Sequence, residues 1–214
     1  MENVNSILFK HAIGDFNQWI SLLENLGYTN SYAVLNAKDY GIPQNRKRMF
    51  LVSTLTLGKF IFPKPEPLML CLNDFLESDV PKIYYLSVEK IANYKKIEMK
   101  NQKRIGIIKA GELNYPKWIE MQNRVYSPKG LSPTLSTMQG GGQVPKIEID
   151  DGIRYYTERE CFRLMGQPED AIEILKTIGI AKSKLYQLAG NSIVVDVLVA
   201  IFKGVYIEKT FENI

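Results

Sequence analysis

LNAKDYGIPQNRKRMFLVS, residues 35–53, carries two signals in one short span. The runs on either side of its Gly-Ile-Pro turn, Ser31 to Asn36 and Arg48 to Leu55, are rich in Val, Leu, Phe and Tyr, residues that fit a pleated, half-buried surface. The turn and the basic cluster Arg46, Lys47 and Arg48 separate them, so the segment predicts strand, loop, strand. Arg46 and Arg48 stand two apart at the mouth of the second strand, where extended geometry projects them the same way. Both are expected to reach one site.

Working outward, Asp15 is a candidate cap for a helix whose apolar residues Phe16, Trp19, Ile20, Leu23 and Leu26 recur at threes and fours, with Gly27 as its stop. A helix followed by strands implies an α/β layer, yet one helix and two strands cannot close a doubly wound sheet. The expected class is therefore α/β with an incomplete Rossmann-like sheet segment. Pro63, Pro65 and Pro67 break the periodicity and put a boundary near residue 64. Beyond it, short strand candidates such as Arg104 to Lys109 and Asn123 to Tyr126 lie among Gly, Pro and polar residues, which predicts a small irregular α+β domain. Thr157 and Glu160 form a capping box that opens a helix through Met165. From about Ser192 to Tyr206 almost no polar face remains, so a helix there needs cover on nearly all sides. The division expected is 1–63, 64–188 and 189–214.

With 45% hydrophobic and 23% charged residues among 214, the chain has the composition of a soluble globular protein and not of a disordered one. A net charge of +4, from 27 Lys and Arg against 23 Asp and Glu, tilts it toward an anionic partner. Cys71, Cys161 and His11 offer neither a disulfide framework nor a zinc ligand set, so no metal is expected. MENVNSILFKH lacks the pattern of a signal peptide or membrane span, and a reducing, cytoplasmic location is expected.

Four segments, in order, resemble conserved blocks of the DNA cytosine-5 methyltransferase family. Glu2-Asn3-Val4 looks like its Glu-Asn-Val motif, and residues 35–53 look like its Gln-x-Arg-x-Arg block. RVYSPKGLSPTLSTMQGGG, residues 124–142, resembles the block closing the target-recognition domain. TERECFRLMGQP, residues 157–168, with AGNSIVVDVL, residues 189–198, resembles the terminal block. The family's Phe-x-Gly-x-Gly cofactor loop and its Pro-Cys nucleophile have no counterpart here, since neither Cys71 nor Cys161 follows a proline.

The resemblance implies the C-terminal part of such an enzyme, cut cleanly before Glu2, in a bacterial or phage-encoded restriction-modification setting. It implies double-stranded DNA as substrate, and S-adenosylmethionine bound only in an assembled enzyme whose second polypeptide carries the missing motifs. A catalytically dead remnant and a stand-alone DNA-binding module are the alternatives. By resemblance, Glu2 is the carboxyl beside cytosine N3, with Asn3 next to it. Arg46 and Arg48 hold a phosphate beside the flipped nucleotide and the cytosine O2, and Gln44 orients their loop. Arg124 reads a base, Thr134 anchors a phosphate, and Gly140–Gly142 approaches DNA. Residues 110–122 carry the sequence specificity. Asn191 and Ser192 lie beside the cofactor, although either would also be an ordinary cap for the apolar helix. Gln167 stands where relatives carry an aromatic residue. The unfinished sheet and the apolar helix imply exposed hydrophobic surface, and so a homo-oligomer when the chain is alone.

Overall fold

The structure, a computed structural model, describes residues 1–55, 57–98, 106–138, 143–208 and 210–212. Its elements run β1 (Glu2–Val4), α1 (Ile13–Asn25), β2 (Thr29–Asn36), β3 (Lys47–Thr54), β4 (Lys59–Phe60), α2 (Val88–Ile91), β5 (Lys95–Lys96), β6 (Lys109–Glu112) and α3 (Glu120–Asn123). They continue through β7 (Arg124–Tyr126), β8 (Lys146–Ile149), β9 (Gly152–Tyr155), α4 (Glu158–Arg163), α5 (Glu169–Thr177), α6 (Lys182–Asn191), α7 (Val195–Lys203) and β10 (Phe211–Glu212).

Strand, loop, strand is found where residues 31–55 predicted it. β3 lies at the centre of an antiparallel sheet ordered β1-β3-β2, with Glu2 opposite Phe50 and Leu35 opposite Arg48. Successive side chains of a strand face opposite ways, so β3 serves two cores. Met49 and Leu51 meet Phe16 of α1, while Phe50 joins Leu35, Ala37, Leu135, Tyr156, Phe162 and Ile201 in the main cluster. The chain is thus α/β around a sheet segment of three strands.

A second sheet, β5-β6-β7-β8-β9, is antiparallel except at β7 and β8, which run parallel and pair Val125 with Lys146. Its own small core is Leu86, Ala110, Leu113, Val125 and Ile153. The strand expected from Arg104 begins only at Lys109 among the described residues, and the Gly140–Gly142 run lies outside them.

Several helix expectations need correction. Asp15 does not cap α1; the helix starts at Ile13 with Ala12 as its cap, and Asp15 sits in the first turn, where a carboxylate suits the positive end of the helix dipole. Gly27 does end the helix region, at a φ of +87° that L side chains rarely adopt. Only Phe16 of the expected apolar stripe is buried outright. Ile20 and Leu23 pack against it, but Trp19 and Leu26 are 52% and 70% exposed. The terminal apolar run is not one helix from Ser192. α6 ends at Asn191, and α7 begins at Val195, ends at Lys203 and gives way to a single π turn over Gly204–Glu208. By length and composition Lys182–Glu208 would suffice to cross a membrane. Yet Ser192–Val194 interrupt it, and Val194, Val197 and Ile201 lie in the main core with Phe50.

The capping box is present as expected. Thr157 Oγ1 accepts from Glu160 N–H at 3.1 Å, and Glu160 accepts from Thr157 N–H at 2.9 Å. The same carboxylate takes a two-pronged Arg154 guanidinium at 2.7 and 2.9 Å and the Glu77 amide at 2.9 Å. Glu160 and Arg154 are 0% and 1% exposed, so each charge depends on the other and on those extra donors. Removing one partner of such a pair leaves an uncompensated buried charge, so Glu160→Gln should destabilise the chain by about 3–5 kcal/mol. Arg163→Gln, which breaks a pair with half-exposed Glu169, should cost less than about 1 kcal/mol. Denaturant unfolding of the two variants measures the contrast; equal losses would refute it.

Candidate functional site

The β1–β3 pairing brings Glu2 next to Arg48. The Glu2 carboxylate lies 3.2 Å from Arg48 Nε, and each side chain is 18% exposed. Burial lowers the Arg48 pKa, and Glu2 opposes that shift. The pair stands at a narrow crevice whose other walls are Arg46, Phe50, Ile193 and Val197. Asn3, one residue along the strand, faces the other way and accepts the Val4 N–H at 2.8 Å through its own Oδ1.

Arg46 does not share Arg48's situation, although the two are only two apart. It is 4% exposed, and its guanidinium donates to the carbonyls of Leu135 (2.8 Å), Gly190 (3.0 Å) and Ser192 (3.0 Å). Burial first, then the neighbouring Arg48, lowers its pKa to about 10. The expected phosphate contact needs an accessible fork, and here the fork is enclosed by main chain. Arg46 precedes β3 instead of lying within it, so the strand alternation that paired it with Arg48 does not apply. Gln44 is likewise fully buried. Its Nε2 donates to Leu164 O at 2.7 Å, and its Oε1 accepts Leu135 N–H at 3.1 Å. A one-residue parallel bridge to Ser132 and the bond from Asn45 N–H to Ser132 O complete the joint.

Asn191 and Ser192 close α6 and do not open α7, whose cap is Val194. Ser192 Oγ accepts from Gln167 Nε2 at 3.4 Å, which ties Gln167 to this junction. Gly190 is required by close approach: a Cβ there would lie 1.9 Å from Ser136 O. Asn191 is exposed and Ser192 half-buried, just before Ile193, which lines the Glu2 crevice; by themselves they do not enclose a nucleoside.

Arg124 opens β7, half-buried, with Nη2 2.5 Å from Glu120. Thr134 is exposed and its hydroxyl donates to Asn45 O at 2.6 Å, so it faces the joint as well as solvent. Asn123 closes the β6–β7 connection on itself, accepting Tyr115 N–H at 2.8 Å and donating to Tyr115 O at 3.0 Å. Beneath that connection lies Lys146, 1% exposed, which no motif pointed out. Its Nζ donates to Gln122 O at 2.7 Å and sits 5.5 and 5.2 Å from the ring centres of Trp118 and Tyr155. Burial first, and then Lys90, lowers its pKa to about 8. Of the cysteines, Cys161 is wholly buried and its thiol is pushed well up by burial, as suits a packing residue. No group of three or more His, Cys, Asp and Glu able to hold a metal occurs among the described residues.

Sequence comparison matches residues 1–206 to the family described as C-5 cytosine-specific DNA methylase. The type II methyltransferase M2.ScrFI of Lactococcus lactis subsp. cremoris is 34% identical over 207 residues, 96% of this chain and 53% of that protein. The type II methyltransferase M.Bsp6I of Bacillus sp. is 33% identical over 217 residues, 96% of this chain and 64% of that protein. The chain thus spans between half and two thirds of these relatives' lengths. Among solved structures, the Entamoeba histolytica methyltransferase EhMeth superposes with a TM-score of 0.70 at 16% identity, covering 97% of this chain and 62% of that one. At that identity the likeness is one of fold.

The Lys146 shift has a definite sign in stability. Its folded pKa of about 8 lies below the ordinary 10.5, so between those values the unfolded chain binds more protons. This residue's contribution to stability therefore rises with pH from about 8 to 10.5 and is lost as pH falls through 8. Wild-type stability measured relative to Lys146→Met should climb across that window; a flat difference would show that Lys146 does not titrate there.

Proposed function

Because the chain belongs to the C-5 cytosine-specific DNA methylase family, we propose that it supplies the base-holding and target-reading part of a DNA (cytosine-5)-methyltransferase acting on duplex DNA. The paired Glu2 and Arg48 at one crevice carry this reading. Residues 1–63 would be part of the catalytic domain, 64–188 the target-recognition domain, and 189–214 the return to the catalytic domain. The relatives' names also make a restriction-modification system the setting we infer.

The chemistry follows from what cytosine lacks. C5 is a poor nucleophile until a thiolate adds to C6, which pushes electron density onto N3. The base must first leave the duplex, at a cost of a few kcal/mol of stacking and pairing, and polar groups on its edge offset that cost. Glu2 would hold a proton at N3, and Arg48 would orient Glu2 and donate to O2. Arg46 and Gln44 act one step back, fixing the strand entry from which Arg48 projects. Bound S-adenosylmethionine supplies the electrophilic methyl group; Asn191 and Ser192 would touch its edge. Arg124 would read a guanine edge. Asn3 and Thr134 would support the DNA path.

The thiolate and the main cofactor loop must come from residues other than these 214, and we propose that the chain alone transfers no methyl group. Mixing it with a polypeptide bearing the Phe-x-Gly-x-Gly and Pro-Cys motifs should give transfer from labelled donor to duplex DNA. Glu2→Gln in that mixture should lower the rate about 10²–10⁴-fold, the usual weight of a positioned acid-base group. Transfer by the chain alone, or an unaffected Glu2→Gln mixture, would overturn the reading. No transfer with any such polypeptide would favour a remnant or a stand-alone DNA-binding module.

Trp19 and Leu22 of α1 with Leu26 just beyond it, 52%, 64% and 70% exposed, support a further part of the proposal: the chain alone self-associates. Light scattering should give at least a dimer mass, and a monomer at micromolar concentration would refute it.

A further inference from the structure

Lys146 is a buried cation for which the chemistry above has no use. It lies in β8, parallel to β7 and beside Val125, next to the strand that begins with Arg124. No carboxylate lies within ion-pairing distance of it among the described residues. Enclosing an ammonium without an anion is unfavourable, and a Met of similar length would fill the same space. What the ammonium does is grip the β6–β7 connection from below. One proton goes to Gln122 O, and the charge faces the electron-rich rings of Trp118 and Tyr155. Trp118 in turn stacks on Tyr115, with ring centres 4.4 Å apart at 28°. Asn123 closes the connection on itself, Tyr115 Oη ties its start to the carbonyls of Glu89 and Lys90, and Lys146 holds Trp118 and Gln122 from the sheet side.

We propose that Lys146 is a positioning residue for target specificity, fixing through Trp118 and Gln122 the conformation in which residues 114–123 and Arg124 meet DNA. This rests on the reading of that connection as the base-reading element. The residue touches no base; it selects one loop arrangement from those that the closed connection could adopt. Solvated surface lysines contact phosphates and raise affinity for all sequences alike, whereas a buried one leaves that general term untouched.

The test uses the full chain and a pool of duplexes with a randomised central stretch. Wild type should enrich a defined sequence. Lys146→Met should bind the unselected pool with the same affinity and salt dependence, but with enrichment reduced about tenfold or more. Amide exchange at Tyr115, Lys117, Trp118 and Ile119 should become at least tenfold faster, with the β8–β9 amides unchanged. Lys146→Arg, which retains a cation between the rings, should keep most of the enrichment. Trp118→Leu, which removes the grip from the other side, should reproduce the loss and covers the case in which Lys146→Met does not fold. A selective wild type with equally selective Lys146→Met and Trp118→Leu overturns the proposal, whether or not the loop loosens. A wild type that enriches nothing overturns the assignment of the connection itself, and with it this proposal, so the two failures are distinguishable.

Discussion

Four main-chain groups buried far from water decide how this chain closes. The carbonyls of Leu135, Leu164 and Gly190 and the amide of Leu135 lie where three remote segments converge, and a buried backbone group without a partner costs about as much as a lost hydrogen bond. Gln44 and Arg46 satisfy all four. Their donors and acceptors reach residues 89 to 144 positions away in sequence, so the joint is tertiary from the start. Arg48, immediately beyond, inherits its direction from that anchoring. The crevice at Glu2 is therefore only as well defined as the loop that precedes it.

The second sheet is secured by a different device. The Arg154–Glu160 pair is enclosed and fully hydrogen-bonded, and it ties β9 to the start of α4. Thr157 adds a link to Glu77 through its hydroxyl, at 2.5 Å. Beyond these, several of the chain's charges meet one another at the surface, as Arg159 does with Glu77, Glu169 and Glu173. A net charge of +4 consequently says little about where an anion would bind. The placement of particular cations says more: Arg48 beside a carboxylate, Arg124 beside Glu120, Lys146 under aromatic rings.

What could be read from the sequence was what local geometry dictates. The Thr157 capping box, the Gly27 stop and the strands flanking the Gly-Ile-Pro turn involve residues a few positions apart, so their spacing carries the information. The burial of Arg46 was not legible because a run of three basic residues gives no sign that one of them lies beneath distant carbonyls, although it lines the same crevice as Arg48. The start of α7 at Val195 was hidden because Ile193 and Val194 continue the apolar pattern ahead of it. Lys146 was invisible for a related reason. In Lys-Ile-Glu-Ile a charged residue alternates with apolar ones and reads as facing solvent, yet a sheet with cover on both sides buries either face.

The pairing of β7 with β8 makes two connections of this sheet unequal. Parallel neighbours demand a crossover, and the described part of the one between β7 and β8 docks Ser132 and Leu135 on Gln44, which fixes its path at those two points. The β6–β7 connection joins antiparallel neighbours and is held by a few side chains, Asn123 at its close and Lys146 from beneath. Doubling a loop of that kind costs only about 0.6 kcal/mol of closure entropy. Lengthening the β6–β7 connection is therefore cheap, whereas a change at Ser132 or Leu135 would undo bonds on which the rest of the structure rests.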